Sequence, residues 1–362
     1  MSACAGVRQT GSGSSRKQMR KSEVRLADVA KAAGVSVMTA SRALDEKGVA
    51  SLETRARVQA AATKLGYRPN KLARLMRSAH SNIVCIVVND LSSQLENAFV
   101  KAISTEVRHA AMEPFICNAG GTLDLANKSL PPHEILQGLC DGFLYVLPRI
   151  TDEYRLFLEQ SDTPSVLINS GAQASTLPTI RCDKSIAIGQ AIRYLADLGH
   201  SRIAYIRDAR DTGQSDAGEQ GYLQGMQSAG LPIKPEWIAN GDSGFDSGWR
   251  IAEEVLSLPS PPSAIIAATH RMAWACLMAS RNAGLQSPRD ISIIGVDELP
   301  SDFQEERKLS TLRQPIAAMA KAAVKELSLR SSPSLPQIRQ ALFPSELLIR
   351  GSTGPAPQRE PR

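Results

Sequence analysis

From Ser81 to Val296 the chain alternates short, almost uninterrupted apolar runs with longer amphipathic stretches, and few folds admit that alternation. Residues Ile83 to Val88 read Ile-Val-Cys-Ile-Val-Val, with no polar position to face water. A strand of that kind is buried on both faces, as in a parallel sheet covered by helices. The pattern predicts strands at 83–88, 114–117, 141–147, 165–168, 179–182, 202–206, 264–268 and 291–296. Between them it predicts helices at 95–112, 128–139, 152–160, 185–198, 218–229, 247–256 and 272–282. Two such series, the second beginning at Thr179, predict two doubly wound α/β lobes. Ligands of such sheets sit outside the C-terminal ends of the strands, which between two lobes is a cleft.

The first 80 residues are built differently. They hold 16 Lys and Arg against 5 Asp and Glu, whereas the remainder holds 26 against 31. A strongly basic module on a mildly acidic body points to a polyanion partner for the module. Residues 1–22 contain Gly11-Ser12-Gly13-Ser14-Ser15 and read as a disordered basic tail. Beyond them Leu26, Val29, Ala30 and Ala33 fall at i, i+3, i+4 and i+7, the apolar stripe of a short helix. Gly34 stops it, and Ser36 can cap a second helix after a three-residue turn. This is helix-turn-helix spacing, in which the second helix enters the DNA major groove. A third helix is predicted between the capping Ser51 and Gly66, with Val58, Ala61, Ala62 and Leu65 on its apolar face. After Tyr67-Arg68-Pro69 comes a basic segment from Asn70 to Arg77, too short to be a stable helix alone in water.

Other classes find little support. The six cysteines lack C-x-x-C spacing, so neither a metal site nor a disulfide framework is expected, and five of them sit where cysteine serves as a small buried hydrophobe. No apolar run reaches the ~18 residues of a membrane span, and the charged N-terminus has no apolar stretch behind it. A cytoplasmic protein without membrane partner or cofactor is expected. Phosphate-binding G-x-G-x-x-G and G-x-x-x-x-G-K-[ST] loops are missing, as is the G-x-S-x-G nucleophile turn. An enzyme on the lobes would have to rely on Asp183 and Asp297 as an acid/base pair, and a binding protein uses such carboxylates to hold hydroxyls. No catalytic residue is assigned.

Several segments in order carry a resemblance. They are Asp28-Val29-Ala30-Lys31-Ala32-Ala33-Gly34-Val35-Ser36 with Thr39, Ser41 and Arg42, then Leu65-Gly66-Tyr67-Arg68-Pro69-Asn70, and Ala73-Arg74-Leu75-Met76. In the body they are Gly199-His200-Ser201-Arg202-Ile203-Ala204-Tyr205-Ile206, Ile294-Gly295-Val296-Asp297, Leu309-Ser310-Thr311-Leu312-Arg313-Gln314-Pro315 and Leu348-Ile349-Arg350-Gly351-Ser352-Thr353. The chain resembles the LacI/GalR family of bacterial transcription regulators over nearly all its length. That resemblance implies a helix-turn-helix DNA-binding domain at 23–69, a hinge helix and linker at 70–80, and an effector-binding and dimerisation core of periplasmic-binding-protein type at 81–350. Within the core, lobe one is expected at about 81–178 plus 313–340 and lobe two at about 179–312 plus 341–350, with an extended tail at 351–362. No leucine heptad follows Arg350, so a tetramerising coiled coil is not expected.

The resemblance also implies site residues. Val37, Met38 and Arg42 match positions that reach base edges. The forked guanidinium suits guanine, while Val37 and Met38 offer apolar contact to a thymine methyl or to the headpiece interior. Thr39, Ser41, Asn70, Lys71 and Arg74 are candidates for the phosphate backbone, with Ala73 beside them on the hinge. Met76 stands where the family places a leucine wedge in the minor groove, a device that needs the hinge of a second subunit. Arg25 replaces a capping threonine. In the cleft the correspondence weakens. Leu95 and Glu96 stand in place of an aromatic pair, Gly218 in place of an effector-gripping arginine, and Thr269 and His270 in place of asparagine and aspartate. Asp183, Asp297 and Gln314 complete the candidate effector set, with Arg271 next to it. The expected function is a dimeric repressor on a pseudo-palindromic double-stranded operator, controlled by a small molecule, a sugar or sugar derivative by default. The alternative is control by a nucleobase, another non-sugar ligand or a protein partner.

Overall fold

The computed structural model describes residues 24–45, 49–67, 81–126, 131–170, 175–209, 214–297, 308–330 and 340–358. The chain divides into two compact units, residues 1–77 and 78–362.

In the first unit, α1 (Leu26–Ala33), α2 (Val37–Ala43) and α3 (Leu52–Leu65) enclose a core of Val29, Ala30, Ala33, Ala40, Ala43, Val58 and Ala62. Five of those seven are alanine, so the helices pack closely around little volume. Gly34 takes φ 64°, which turns the chain so that the Val35 N–H reaches the Ala30 carbonyl at 3.0 Å and closes α1. The Ser36 hydroxyl accepts the Thr39 N–H at 3.1 Å and starts α2. Arg25 precedes α1 without a side-chain cap. Its guanidinium has no acceptor, and the Asp28 carboxylate instead takes the Arg25 N–H at 2.8 Å.

The second unit holds two six-stranded sheets. The first contains β1 (Ile83–Val88), β2 (Glu113–Asn118), β3 (Gly142–Val146), β4 (Ser165–Ile168), β5 (Thr179–Cys182) and β11 (Gln340–Phe343). All its pairings are parallel, in the order β11-β5-β4-β3-β1-β2. The strand period of two divides β1 between two cores. Val84, Ile86 and Val88 join α4 (Gln94–His109) and α11 (Ile316–Arg330) on one face, while Cys85 and Val87 join Phe143, Tyr145 and Tyr154 on the other. Tyr154 comes from α6 (Asp152–Gln160). The expected helix at 128–139 is the single turn α5 (Pro132–Leu136), entered through two prolines and left through Gly138 at φ 75°. Residues 128–130 of that expectation lie outside the described residues.

The second sheet contains β6 (Ile203–Asp208), β7 (Ile238–Gly241), β8 (Ala264–Ala267), β9 (Ser292–Val296), β10 (Ser310–Arg313) and β12 (Glu346–Leu348). Its order is β12-β10-β9-β8-β6-β7, parallel except for the antiparallel β12. Around it lie α7 (Lys184–Asp197), α8 (Gln214–Ser228), α9 (Phe245–Leu256) and α10 (His270–Asn282). Helices α7 and α8 come so close that a Cβ on Gly221 would stand 2.4 Å from the Ser185 carbonyl oxygen.

Three crossovers join the lobes, after Cys182, after Arg313 and after Phe343. Two differ from the sequence expectation. Residues 179–182 hydrogen-bond to β4 and β11 and belong to lobe one rather than opening lobe two. Residues 341–343 likewise belong to lobe one. An apolar strand reads alike in either sheet, and only its register partners decide which it joins. Residues 351–358 are extended but do not form a separate tail. The buried Ser352 hydroxyl donates to the Ile293 carbonyl at 2.6 Å and accepts the Ser310 N–H at 2.8 Å, while the Ala356 N–H reaches the Leu198 carbonyl at 2.8 Å. His200 joins this seam, with Nε2 at 3.0 Å from the Gly354 carbonyl and Nδ1 at 2.9 Å from the Ser263 hydroxyl.

Candidate functional site

Helix α2 divides its residues cleanly. Ala40 and Ala43 are buried, whereas Val37 and Met38 are 49% and 65% exposed, and Ser41 and Arg42 are exposed beside them. Burial in the headpiece core is therefore not what Val37 and Met38 do. Outward apolar groups next to a guanidinium and a hydroxyl make a face suited to base edges and thymine methyls. Thr39 is half-buried, and its hydroxyl lies 2.8 Å from that of Ser36, within the cap of α2. Val49 and Leu52, at 92% and 87% exposed, are further outward apolar groups at the entry to α3 that the sequence pattern did not single out. Asn70, Lys71, Ala73, Arg74 and Met76 lie outside the described residues.

Between the lobes of the second unit lies a cleft of about 360 Å³. From lobe one it is lined by Asp90, the 92–96 segment entering α4, Leu147-Pro148-Arg149 after β3, and Asn169 after β4. From the other side come Lys184, Asp208 after β6, Asp242-Ser243-Gly244 after β7, Ala268 to Arg271 after β8, and Asp297 after β9. These are the C-terminal ends of parallel strands, where side chains from several loops converge. No phenylalanine, tyrosine or tryptophan lines the cleft among the described residues.

Of the residues expected at the effector site, Leu95, Glu96, Thr269, His270 and Asp297 line this cleft. Glu96 is turned to the protein itself: one carboxylate oxygen accepts the N–H groups of Asn89 at 2.7 Å and Asp90 at 3.1 Å. Burial pushes its carboxyl above the usual range, against the pull of those two N–H groups and the nearby charge of Arg149. Thr269 caps α10 by accepting the Met272 N–H at 3.2 Å, and His270, buried, opens that helix. Asp297 sits at φ 66° and accepts from the Gln314 side-chain amide.

Three expected residues stand elsewhere. Asp183 is the N-cap of α7, its carboxylate taken by the Ile186 N–H at 3.0 Å. At Gly218 a Cβ would lie 2.3 Å from the Tyr205 hydroxyl, so a buried tyrosine holds the space that a side chain there would need. Gln314 lies behind the cleft wall. Its carbonyl oxygen accepts from Asn169 Nδ2 at 2.7 Å, and the other end of Asn169 accepts the Cys182 N–H at 3.0 Å. Asp297 of lobe two, Gln314 at one crossover, Asn169 of lobe one and Cys182 at another crossover thus form one hydrogen-bonded chain.

Sequence reasoning missed Asn169, Asp90, Asp208 and Asp242, although the first three stand at or just after the end of an apolar strand run; Asp242 follows the polar β7. Every cleft carboxylate accepts a hydrogen bond from the protein. Asp90 takes the Ser92 N–H and hydroxyl at 2.8 and 2.7 Å, Asp242 the Gly244 N–H at 2.8 Å, and Asp208 the Ser243 hydroxyl. Arg149 and Arg271 make no side-chain hydrogen bond or ion pair among the described residues. No group of three or more His, Cys, Asp or Glu side chains among the described residues is placed to hold a metal ion. No helix among them is long and apolar enough to cross a membrane.

Known proteins resemble both units. Residues 25–70 match the family described as bacterial regulatory proteins, lacI family, and residues 192–353 match the periplasmic binding protein-like domain. The HTH-type transcriptional repressor CytR of Escherichia coli (strain K12) is 29% identical over 334 residues, 91% of this chain and 96% of that protein. The HTH-type transcriptional regulator GalS of Salmonella typhimurium is 30% identical over 311 residues, 85% of this chain and 90% of that one. Among solved structures, the lac repressor dimer bound to operator and the anti-inducer ONPF superposes with a TM-score of 0.77 at 22% identity, covering 91% of this chain and 99% of that chain.

Proposed function

Since the chain belongs to the LacI family of DNA-binding transcription regulators, not enzymes, we propose that it is a cytoplasmic repressor that binds a pseudo-palindromic operator as a dimer and is switched by a small molecule in the interlobe cleft. The observation that carries the reading is the outward face of α2, with Val37, Met38, Ser41 and Arg42 exposed and Ala40 and Ala43 buried. Arg42 pairs with a guanine edge, Val37 and Met38 touch thymine methyls, and Ser41 takes a phosphate. Two such headpieces on symmetric half-sites account for a palindromic operator.

The cleft supports the switching half of the reading. A ligand that touches both lobes favours the closed arrangement, and it shifts the equilibrium only by its differential affinity for the two arrangements. The Asp297–Gln314–Asn169 chain spans a crossover, so cleft-lining groups of both lobes are tied to the segment that must move. Selection of bound fragments from random DNA, followed by footprinting, tests the DNA half. A palindromic footprint with half-sites about one helical turn apart or a multiple of it is expected. Uniform affinity for all sequences at fixed salt would overturn it.

A further inference from the structure

Among the described residues no phenylalanine, tyrosine or tryptophan lines the cleft, so these residues offer the apolar face of a sugar ring or a nucleobase no large aromatic platform. Polar groups make up most of the described lining, and they are unequally committed. Each carboxylate already accepts a hydrogen bond from a neighbouring N–H, hydroxyl or amide. Among the described residues Arg149 and Arg271 make no side-chain hydrogen bond or ion pair, and they stand on opposite lobes, one after β3 and the other in the first turn of α10. The start of α10 adds the positive end of a 13-residue helix beside Arg271.

Resting on the reading of the cleft as a regulatory ligand site, we propose that its ligand is a small hydroxylated oxyanion, a carboxylate or phosphate ester, clamped between Arg149 and Arg271. A guanidinium meets either oxyanion through two parallel N–H donors, in bonds about twice as strong as neutral ones. The ligand's hydroxyls donate to the cleft carboxylates, whose oxygens can each accept more than one hydrogen bond, which explains why acidic side chains share the cleft with the two arginines. Because the arginines belong to different lobes, an anion held by both stabilises the closed arrangement specifically. The hydroxyls of a neutral sugar can accept from a guanidinium, but they bring no charge to match either one.

The test uses the full chain, with calorimetry and thermal shift against gluconate, glucose 6-phosphate and inorganic phosphate on one arm and glucose, ribose and cytidine on the other. At least one anionic probe is expected to bind, gluconate and glucose 6-phosphate separating the carboxylate from the phosphate source. Arg149→Gln and Arg271→Gln should each weaken that binding at least tenfold. Arg250→Gln, on a surface arginine paired with Glu254 outside the cleft, should leave it unchanged. Unfolding midpoints without probe check that each variant is folded. A neutral probe that binds equally to wild type and both arginine variants overturns the anion clamp and leaves the cleft as a ligand site. An anion whose binding survives either substitution also overturns the clamp. Silence of every probe overturns both readings.

Discussion

Gly218→Ala tests the claim that Tyr205 has closed the second lobe where a side chain at 218 would enter. A Cβ at 218 would meet the Tyr205 hydroxyl at 2.3 Å, Ile188 Cδ1 at 3.3 Å and Tyr205 Cζ at 3.4 Å. Only the hydroxyl contact is impossible, and it cannot be relieved by a simple swing. Tyr205 is fully buried and stacks on Tyr222 with ring centroids 5.6 Å apart. Two terms compete. Exchanging glycine for alanine inside helix α8 favours the folded state by about 1 kcal/mol. Overpacking a filled site costs about 1–3 kcal/mol. The clash is with a rigid group, so the upper half of that range applies and the variant should lose about 1–2 kcal/mol. Tyr205→Phe removes the clashing atom and leaves contacts of 3.3 Å or more. In that background Gly218→Ala should be neutral or stabilising. Urea unfolding of wild type, both single variants and the double variant gives the coupling free energy, with the intrinsic cost of Tyr205→Phe cancelling in the cycle. If Gly218→Ala alone stabilises the protein by the full helix-propensity gain, the close approach is wrong. So too is the inference that this lobe has no room for a side chain at 218.

The headpiece prediction is that Arg42→Ala lowers affinity for the preferred operator by about 1–3 kcal/mol and relaxes discrimination at one base pair, while Lys71→Ala weakens all sequences and reduces the salt slope by about one. Filter binding at fixed salt, repeated across a salt series, separates the two, and an unchanged Arg42→Ala would refute the assigned face of α2. Ser352→Ala strips two buried partners, the Ser310 N–H and the Ile293 carbonyl, and should cost about 1–3 kcal/mol in urea unfolding. No loss would mean that the C-terminal seam contributes nothing to the lobe. Burial holds both His133 and His200 below the usual histidine value of about 6.5. Below that pH the unfolded chain takes up protons that the folded chain refuses, so stability is full above about 6.5 and falls on acidification by up to about 1.4 kcal/mol per pH unit for each histidine. The His200 share should vanish in His200→Gln, and an identical pH slope in that variant would argue against it.

The alternation of apolar and amphipathic segments placed most of the core correctly because burial on both faces of a strand leaves no other pattern. Helix α6 and strands β4 and β5 have the bounds that the pattern predicts. What the pattern cannot carry is the choice between two similar sheets, which is why β5 and β11 were assigned to the wrong lobe. Strand β7 is short and contains Asn240 and Gly241, and α11 is rich in alanine, so neither stood out. The face of α2 was legible because a single 3.6-residue period decides it. The cleft was legible only in part. Leu95, Glu96, Thr269, His270 and Asp297 were placed there by the resemblance to the family, which aligns them with effector positions. The roles of Gly218 and Gln314 were not legible, since they depend on Tyr205 and on the Asn169–Asp297 pair, each set by tertiary packing. Arg149 looks like any surface arginine until both lobes are in view.

The hydrogen-bonded chain through Gln314 sets a scale for the switch. Moving a two-state equilibrium from 1:99 to 99:1 requires about 5.5 kcal/mol of differential binding. A neutral hydrogen bond contributes about 0.5–1.5 kcal/mol net and one to a charged group about 1.5–3 kcal/mol. A ligand touching one lobe binds open and closed arrangements alike, and its contacts drop out of the difference. What remains is the set of contacts completed only on closure. If the ligand is first seated on one lobe, that set is the guanidinium of the other lobe and the groups next to it. One charge-assisted bidentate contact with one or two hydroxyl bonds reaches the required size, whereas neutral bonds alone would have to number about four or more. The Asp297–Gln314–Asn169 chain adds a second constraint, because closure that breaks it gives up two buried hydrogen bonds. A closing motion that pivots about Gln314 keeps both hydrogen bonds. Gln314→Leu, which cannot make either, should therefore alter the coupling between ligand and operator more than it alters ligand affinity itself.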